Sequence, residues 1–188
     1  MCIRDRGPTI TKGYYHRDAA NKEAFTEDGY FRTGDAGYIK DGELFLTDRI
    51  KDLFKTSNGK YIAPQLVESL ILVDKYIDQV AVIANERKFV SALIVPEFRL
   101  VEEWAKEHGI EFSSREDLCA NPKVNKMILE RIKTLQQQLA HYEQVKRITL
   151  IPHHFSLESG ELTNTLKIRR PVAVSYTHLR AHETSLHL

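Results

Sequence analysis

The chain has 188 residues, a formal charge of +1, and 28 % charged residues of both signs, a balance that gives no electrostatic case for a nucleic-acid partner. Its two cysteines, Cys2 and Cys119, make no disulfide framework, and the apolar runs 80–84 and 90–95 are of strand length, too short to cross a bilayer. With no signal-peptide pattern at the start, the expectation is a globular cytoplasmic protein large enough for a sizeable core.

In chain order, residues 7–46 hold turn signals and short strand candidates, with too little apolar sequence for a core of their own. Thr33-Gly34-Asp35 reads as a turn, and Glu43 to Thr47 as a strand that ends at Asp48-Arg49. The chain is expected to break near 48–52. Beyond it, Leu53 to Thr56 reads as a strand and Ser57-Asn58-Gly59-Lys60 as a tight turn. Pro64 opens a helix at its first turn. The runs VAVIA and VSALIV, within strands near 79–84 and 89–95, are apolar on both faces, which predicts central strands covered by helices.

A helical block follows. Phe98 to His108 places Leu100, Val101, Trp104 and Ala105 at helical spacing, and Gly109 is the stop signal. Ser113 and Glu116 form a candidate capping box for a short helix ending near Cys119. Asn121-Pro122 then caps a longer helix whose stripe is Val124, Met127, Ile128, Ile132, Leu135 and Leu139. Trp104 and this stripe read as core. The fold class is α+β, a small mixed or antiparallel sheet packed with helices, preceded by a short β-rich segment.

Polar residues at strand ends and in turns are the candidates for chemistry. Asp35 follows a glycine that lets the chain pass close to a ligand, and a carboxylate offers acceptors that a vicinal diol can fill. By itself Asp35 reads as an ordinary Asx-turn residue, and Arg49, Lys51, Asp52 and Lys55 as a solvated face. Lys167, Arg169 and Arg170 read alone as a basic surface cluster. His153-His154 and the tail histidines 178, 182 and 187 lack a full ligand set at metal spacing, so no metal site is predicted.

Taken in order, TGD, a strand, and the R-x-K-D-x-x-K-x-x-x-G-x-x-I-x-P-x-x-x-E pattern from Arg49 to Glu68 resemble the AMP-forming acyl-CoA synthetase superfamily. GPTITKGYY, YEQVKRITLIP and GELTNTLKIRR extend the likeness from about 7 to 172, and the wording is similar to long-chain fatty acyl-CoA synthetases of bacterial type. The resemblance implies two steps. ATP and a fatty acid give an acyl-adenylate and pyrophosphate, and coenzyme A then displaces AMP. It implies that Asp35 holds the ribose hydroxyls of AMP, that Arg49 contacts the same nucleotide, and that Lys51 is the hinge of a mobile C-terminal domain. It places Lys55 and Gly59 on the face used in thioester formation, with Gly59 beside the pantetheine arm. Lys167 takes the place of the adenylation lysine, and Asn164 stands where related sequences often carry proline.

The implied cofactors are ATP/AMP, coenzyme A and Mg2+, the last bound mainly by a large N-terminal domain that also supplies a Ser/Thr/Gly-rich phosphate loop and the acyl pocket. No such loop occurs in this sequence, so the chain alone is expected to be inactive. The implied division is a remnant of the N-terminal domain over 7–50 and the mobile domain over 51–172. The full enzyme is expected in the cytoplasm or peripheral to the inner membrane face. The head 1–6 and the tail 173–188 do not continue the family pattern, look like translated sequencing-adapter readthrough, and are expected to be disordered or arbitrarily placed. Two further readings share these residues: a ligase for aryl acids or for loading a carrier protein, and a non-catalytic α+β binding module.

Overall fold

A computed structural model describes residues 2–170 together with Val172 and Ala173. The chain divides into two units, Met1–Leu53 and Phe54–Leu188.

The first unit is a three-stranded antiparallel sheet of β1 (Cys2–Asp5), β2 (Phe31–Lys40) and β3 (Glu43–Arg49), with the short helix α1 (Asp18–Ala24) between β1 and β2. Strands β2 and β3 join through Asp41-Gly42, both at positive φ, +52° and +83°, the backbone that a two-residue hairpin turn demands. The hydrophobic side chains buried here are Ile3 and Ala36, while Tyr38, Ile39, Leu44, Phe45 and Leu46 stay exposed. Within the head, Cys2–Asp5 forms β1. Alternating side chains let this segment pair with β2 and bury Ile3. The expectation for the tail lies outside the described residues, apart from Ala173.

The second unit opens with a small hairpin, β4 (Phe54–Lys55) with β5 (Tyr61–Ile62). Helix α2 (Pro64–Ile71) starts on proline at a position whose N–H needs no helical partner. A three-stranded sheet follows in the order β6-β7-β8, built from β6 (Ile77–Ile83), β7 (Val90–Pro96) and β8 (Val145–Leu150). β6 and β7 are antiparallel, β7 and β8 parallel. A parallel pair needs a long crossover, and α3 (Phe98–Glu107), α4 (Arg115–Ala120) and α5 (Pro122–Leu135) supply it. Helix α2 packs on β6, and α4 and α5 pack on β8. Ile71, Leu93, Ile94, Leu118, Ile128 and Ile132 are fully buried in one cluster, each contributing about 1.5–3 kcal/mol.

In the β6-β7-β8 sheet of the described residues β7 is the strand paired on both sides, so the expectation of two central strands is corrected for β6. Its outer edge is closed by side chains instead: the Glu68 carboxylate accepts the Val82 N–H at 2.8 Å. The predicted capping box shifts by one residue. Ser114 is the N-cap and accepts the Asp117 N–H at 3.2 Å, while Ser113 donates its N–H and hydroxyl back to Asp117. Asn121 caps α5 as expected, accepting the Lys123 N–H at 2.9 Å. Trp104 is half-buried against the core and stacks on His108.

Candidate nucleotide-facing residues

Asp35 sits in β2 directly after Gly34, which turns the strand at φ +78° with open space where a Cβ would stand. Thr33 fixes that turn, its Oγ1 accepting the Asp35 N–H at 3.0 Å and donating to the Ile3 carbonyl at 3.2 Å. Asp35 lies opposite Arg49 in the β2–β3 register, and Arg49 Nε comes within 3.7 Å of Asp35 Oδ1. The Arg49 side chain is 72 % exposed, and so open a pair is worth under about 1 kcal/mol. Neither group is committed to the other. The carboxylate can take a diol and the guanidinium a phosphate.

The register that sets Asp35 against Arg49 depends on close packing two residues on. A bulge falls between Ala36 and Gly37, and a Cβ on Gly37 would run into the Phe45 carbonyl oxygen of β3. Thr47 Oγ1 donates to the Ala36 carbonyl at 3.1 Å, and Asp48 Oδ1 accepts the Arg49 N–H at 2.7 Å. A cavity of about 490 Å³ opens beside this ladder, lined by Arg32, Thr33, Gly34, Arg49 and Lys51 among others. Arg32 escaped the sequence reading, although it immediately precedes TGD. Lys51 is exposed, in a single 3-10 turn over Ile50–Asp52.

The other candidates belong to the second unit. Lys55 ends β4 opposite Tyr61, with its side chain exposed. Gly59 closes the β4–β5 turn at φ +75°. There the Thr56 N–H donates to the Lys60 carbonyl at 2.9 Å, and Thr56 Oγ1 accepts the Lys60 N–H at 3.1 Å.

Lys167 stands in a separate hairpin of the same construction. The Thr163 N–H donates to the Lys167 carbonyl at 2.8 Å, Thr163 Oγ1 accepts the Lys167 N–H at 3.1 Å, and Leu166 takes the positive φ, +57°. Below the tip, Leu162 and Ile168 form an antiparallel bridge and pack against the core. The backbone of this segment is pinned while the Lys167 side chain is exposed. The basic-cluster reading fails for Arg170, whose side chain is 20 % exposed and whose Nη2 lies 2.7 Å from both oxygens of Glu68.

The structure thus brings Asp35 and Arg49 together and puts Arg49 and Lys51 on one cavity. Lys55 and Gly59 share one hairpin, and Lys167 has its own. His153 pairs with Glu161 at 3.3 Å and His154 with Asp78 at 2.9 Å. Among the described residues no group of three or more His, Cys, Asp or Glu side chains could hold a metal ion, and no helix is long and apolar enough to cross a membrane.

The family model for the AMP-binding enzyme C-terminal domain matches residues 51–175. Long-chain-fatty-acid–CoA ligase 1 of Homo sapiens is 38 % identical over 180 residues, 94 % of this chain and 25 % of that protein. The peroxisomal long chain acyl-CoA synthetase 7 of Arabidopsis thaliana is 34 % identical over 180 residues, with 94 % of this chain and 25 % of that protein covered. The chain therefore spans about a quarter of the length of these curated relatives. Among solved structures, the A domain of carboxylic acid reductase from Segniliparus rugosus, in complex with AMP and a co-purified carboxylic acid, matches with a TM-score of 0.68 at 24 % identity, covering 98 % of this chain and 28 % of that one. At that identity the likeness speaks for the fold. The chain belongs to the family of AMP-binding enzyme C-terminal domains, and its curated relatives are long-chain acyl-CoA synthetases.

Proposed function

We propose that the chain is the nucleotide-facing C-terminal part of a ligase that joins a long-chain fatty acid to coenzyme A through an acyl-adenylate. The observation that carries this reading is a likeness over 94 % of the chain to a human and a plant protein, both named for long-chain acyl activation. The structure of similar fold that holds AMP and a carboxylic acid, the two halves of an acyl-adenylate, supports the nucleotide part.

In the first step a carboxylate oxygen attacks the α-phosphorus of ATP and pyrophosphate leaves. Lys167 brings an ammonium to the oxygens that gain charge. A unit charge about 4 Å from another is worth roughly 4 kcal/mol at an effective dielectric near 20. The backbone bonds that pin the hairpin mean that little reorganisation accompanies its arrival. Asp35 accepts from the ribose hydroxyls, and Arg49 holds a phosphate oxygen. In the second step the thiol sulfur of coenzyme A attacks the acyl carbonyl and AMP leaves. The Lys55–Gly59 hairpin then faces the pantetheine arm, after rotation about Lys51. Mg2+ would accompany the phosphates of ATP, held mainly by the N-terminal body. Each methylene of a long-chain acid favours a bilayer by about 0.8 kcal/mol, so the full enzyme is proposed to collect its substrate at the cytoplasmic face of a membrane.

The test joins this chain to the N-terminal body of a related ligase. Lys167→Ala is expected to lower adenylation, read by pyrophosphate exchange, about a hundredfold to a thousandfold. Thioester formation from supplied acyl-adenylate should fall far less. Full adenylation in Lys167→Ala refutes the assignment.

A further inference from the structure

The Lys167 hairpin is exposed at its tip and anchored at both feet. On the ascending side Glu161 is fully buried. Its carboxylate accepts the Ser159 hydroxyl at 2.6 Å and the Ser156 N–H at 3.2 Å, and its carbonyl accepts the Arg169 N–H at 2.6 Å. On the descending side, three residues after Lys167, Arg170 reaches 102 positions back to Glu68 of α2, the same carboxylate that takes the Val82 N–H of β6. Helix, sheet edge and hairpin foot therefore meet at one carboxylate.

The form of this contact says what it is for. An arginine paired for strength presents two nitrogens to two oxygens. Here a single Nη2 serves both Glu68 oxygens at 2.7 Å, and the buried Nε finds no acceptor among the described residues. A buried ion pair with an unsatisfied donor is poor at stabilising a fold, since apolar residues of like volume commonly match or exceed it. What it does supply is direction, a fixed point for the chain that leaves the hairpin.

We infer that the Glu68–Arg170 pair is a positioning device for Lys167, setting where its ammonium stands relative to the β6-β7-β8 sheet during acyl-adenylate formation. This rests on the adenylation reading of Lys167. Arg170 touches no substrate in this role; it acts through the hairpin. A reacting group displaced by about 1 Å can cost about a hundredfold in rate.

The experiment uses the chain joined to the N-terminal body of a related ligase, and the full chain alone. Arg170→Met leaves Glu68 a buried charge without its cation and can unfold the domain, so it is paired with the double variant Glu68→Gln, Arg170→Met. The double variant keeps an acceptor for Val82 and removes both charges. The expected result for it is an unchanged melting temperature, faster amide exchange at Thr163 and Lys167 but not in β6, β7 or β8, and an adenylation kcat about tenfold to a hundredfold lower. The KM for ATP and thioester formation from supplied acyl-adenylate stay near wild type. Glu68→Gln alone, which keeps a donor–acceptor contact with Arg170, restores part of the rate. Undiminished adenylation in the double variant, while Lys167→Ala loses it, overturns the positioning role and leaves the adenylation reading intact. A parallel fall of both half-reactions with the melting temperature overturns it too, as a purely structural role would give that result. Full adenylation in Lys167→Ala overturns both.

Discussion

Gly34 and Gly37 flank Asp35 and Ala36 and are glycines for opposite reasons, which makes their substitution a sharp probe of the β2–β3 ladder. At Gly37 the obstacle is space. An added Cβ meets the Phe45 carbonyl oxygen, which belongs to backbone and cannot swing away, as well as Ile3 Cδ1 at 2.9 Å, which can. Relief requires β2 and β3 to part at the bulge. Overpacking costs about 1–3 kcal/mol, and a lost ladder bond adds about 1 kcal/mol, so Gly37→Ala is expected to destabilise by about 2–4 kcal/mol. At Gly34 nothing lies within 4 Å of the Cβ site, and the obstacle is φ +78° alone. Alanine there costs about 1–2 kcal/mol and asparagine less, since its side chain suits the left-handed region. At Gly37 asparagine is worse than alanine because it is larger. Amide exchange across β2 and β3 in the full chain reads both positions. Two to four kcal/mol corresponds to opening about thirtyfold to a thousandfold more frequent. In the joined enzyme Gly37→Ala should also raise the KM for ATP, because Asp35 and Arg49 lose their common register. The reasoning is refuted if Gly37→Ala leaves ladder exchange unchanged, or if asparagine is better tolerated than alanine at position 37.

Lys51→Pro should slow thioester formation more than adenylation in the joined enzyme, because a fixed φ sits where rotation is required; equal loss of both half-reactions refutes the hinge. The Asp117 carboxyl is held below its ordinary 3.8 first by the Ser113 hydroxyl and then by the N–H groups of Ser113 and Ser114. A depressed folded value stabilises above the unfolded pKa and is lost as pH falls through the folded one. The protection factors of the α4 amides should therefore fall as pH drops below 3.8, and Ser113→Ala should move the Asp117 titration upward by NMR; an unmoved midpoint counts against the Ser113–Asp117 bond.

What the sequence made legible follows from range. Pro64 and Asn121 are local signals, decided within one helical turn, and both helices start where they say. Ser113 and Ser114 are adjacent hydroxyls, each with an acidic residue three positions on, Glu116 and Asp117, so pattern alone cannot choose the cap; the backbone at Ser114, φ −149° and ψ 170°, does. Asp41-Gly42 is a two-residue hairpin signal that locates β2 and was available to be read. The pairing of β1 with β2 across α1 and the reach of Arg170 to Glu68 across 102 residues have no local signature. In the candidate site, Asp35 is legible from the Thr33-Gly34 that precedes it and Arg49 from its place at the end of a strand pattern. Arg170 was misread as surface because its partner is remote.

The Lys167 hairpin shows why a local reading misses a turn that the structure pins. One five-residue turn recurs three times, over TEDGY at 26–30, TSNGK at 56–60 and TNTLK at 163–167. In each, a threonine N–H donates to the carbonyl four residues on at 2.8–2.9 Å, and its Oγ1 accepts the N–H of that residue at 2.9–3.1 Å. The fourth position takes positive φ in all three, +83° at Gly29, +75° at Gly59 and +57° at Leu166. Glycine announces the first two turns. Leucine hides the third and costs about 1–2 kcal/mol in that conformation, with little burial to offset it at 69 % exposure. Such a residue persists only where its surroundings over-determine it. The surroundings here are the threonine bonds at the neck, the Leu162–Ile168 bridge, and the Glu161 and Arg170 anchors at the feet. Loosening a foot therefore gives Leu166 a route to relax, and Lys167, the next residue, moves with it.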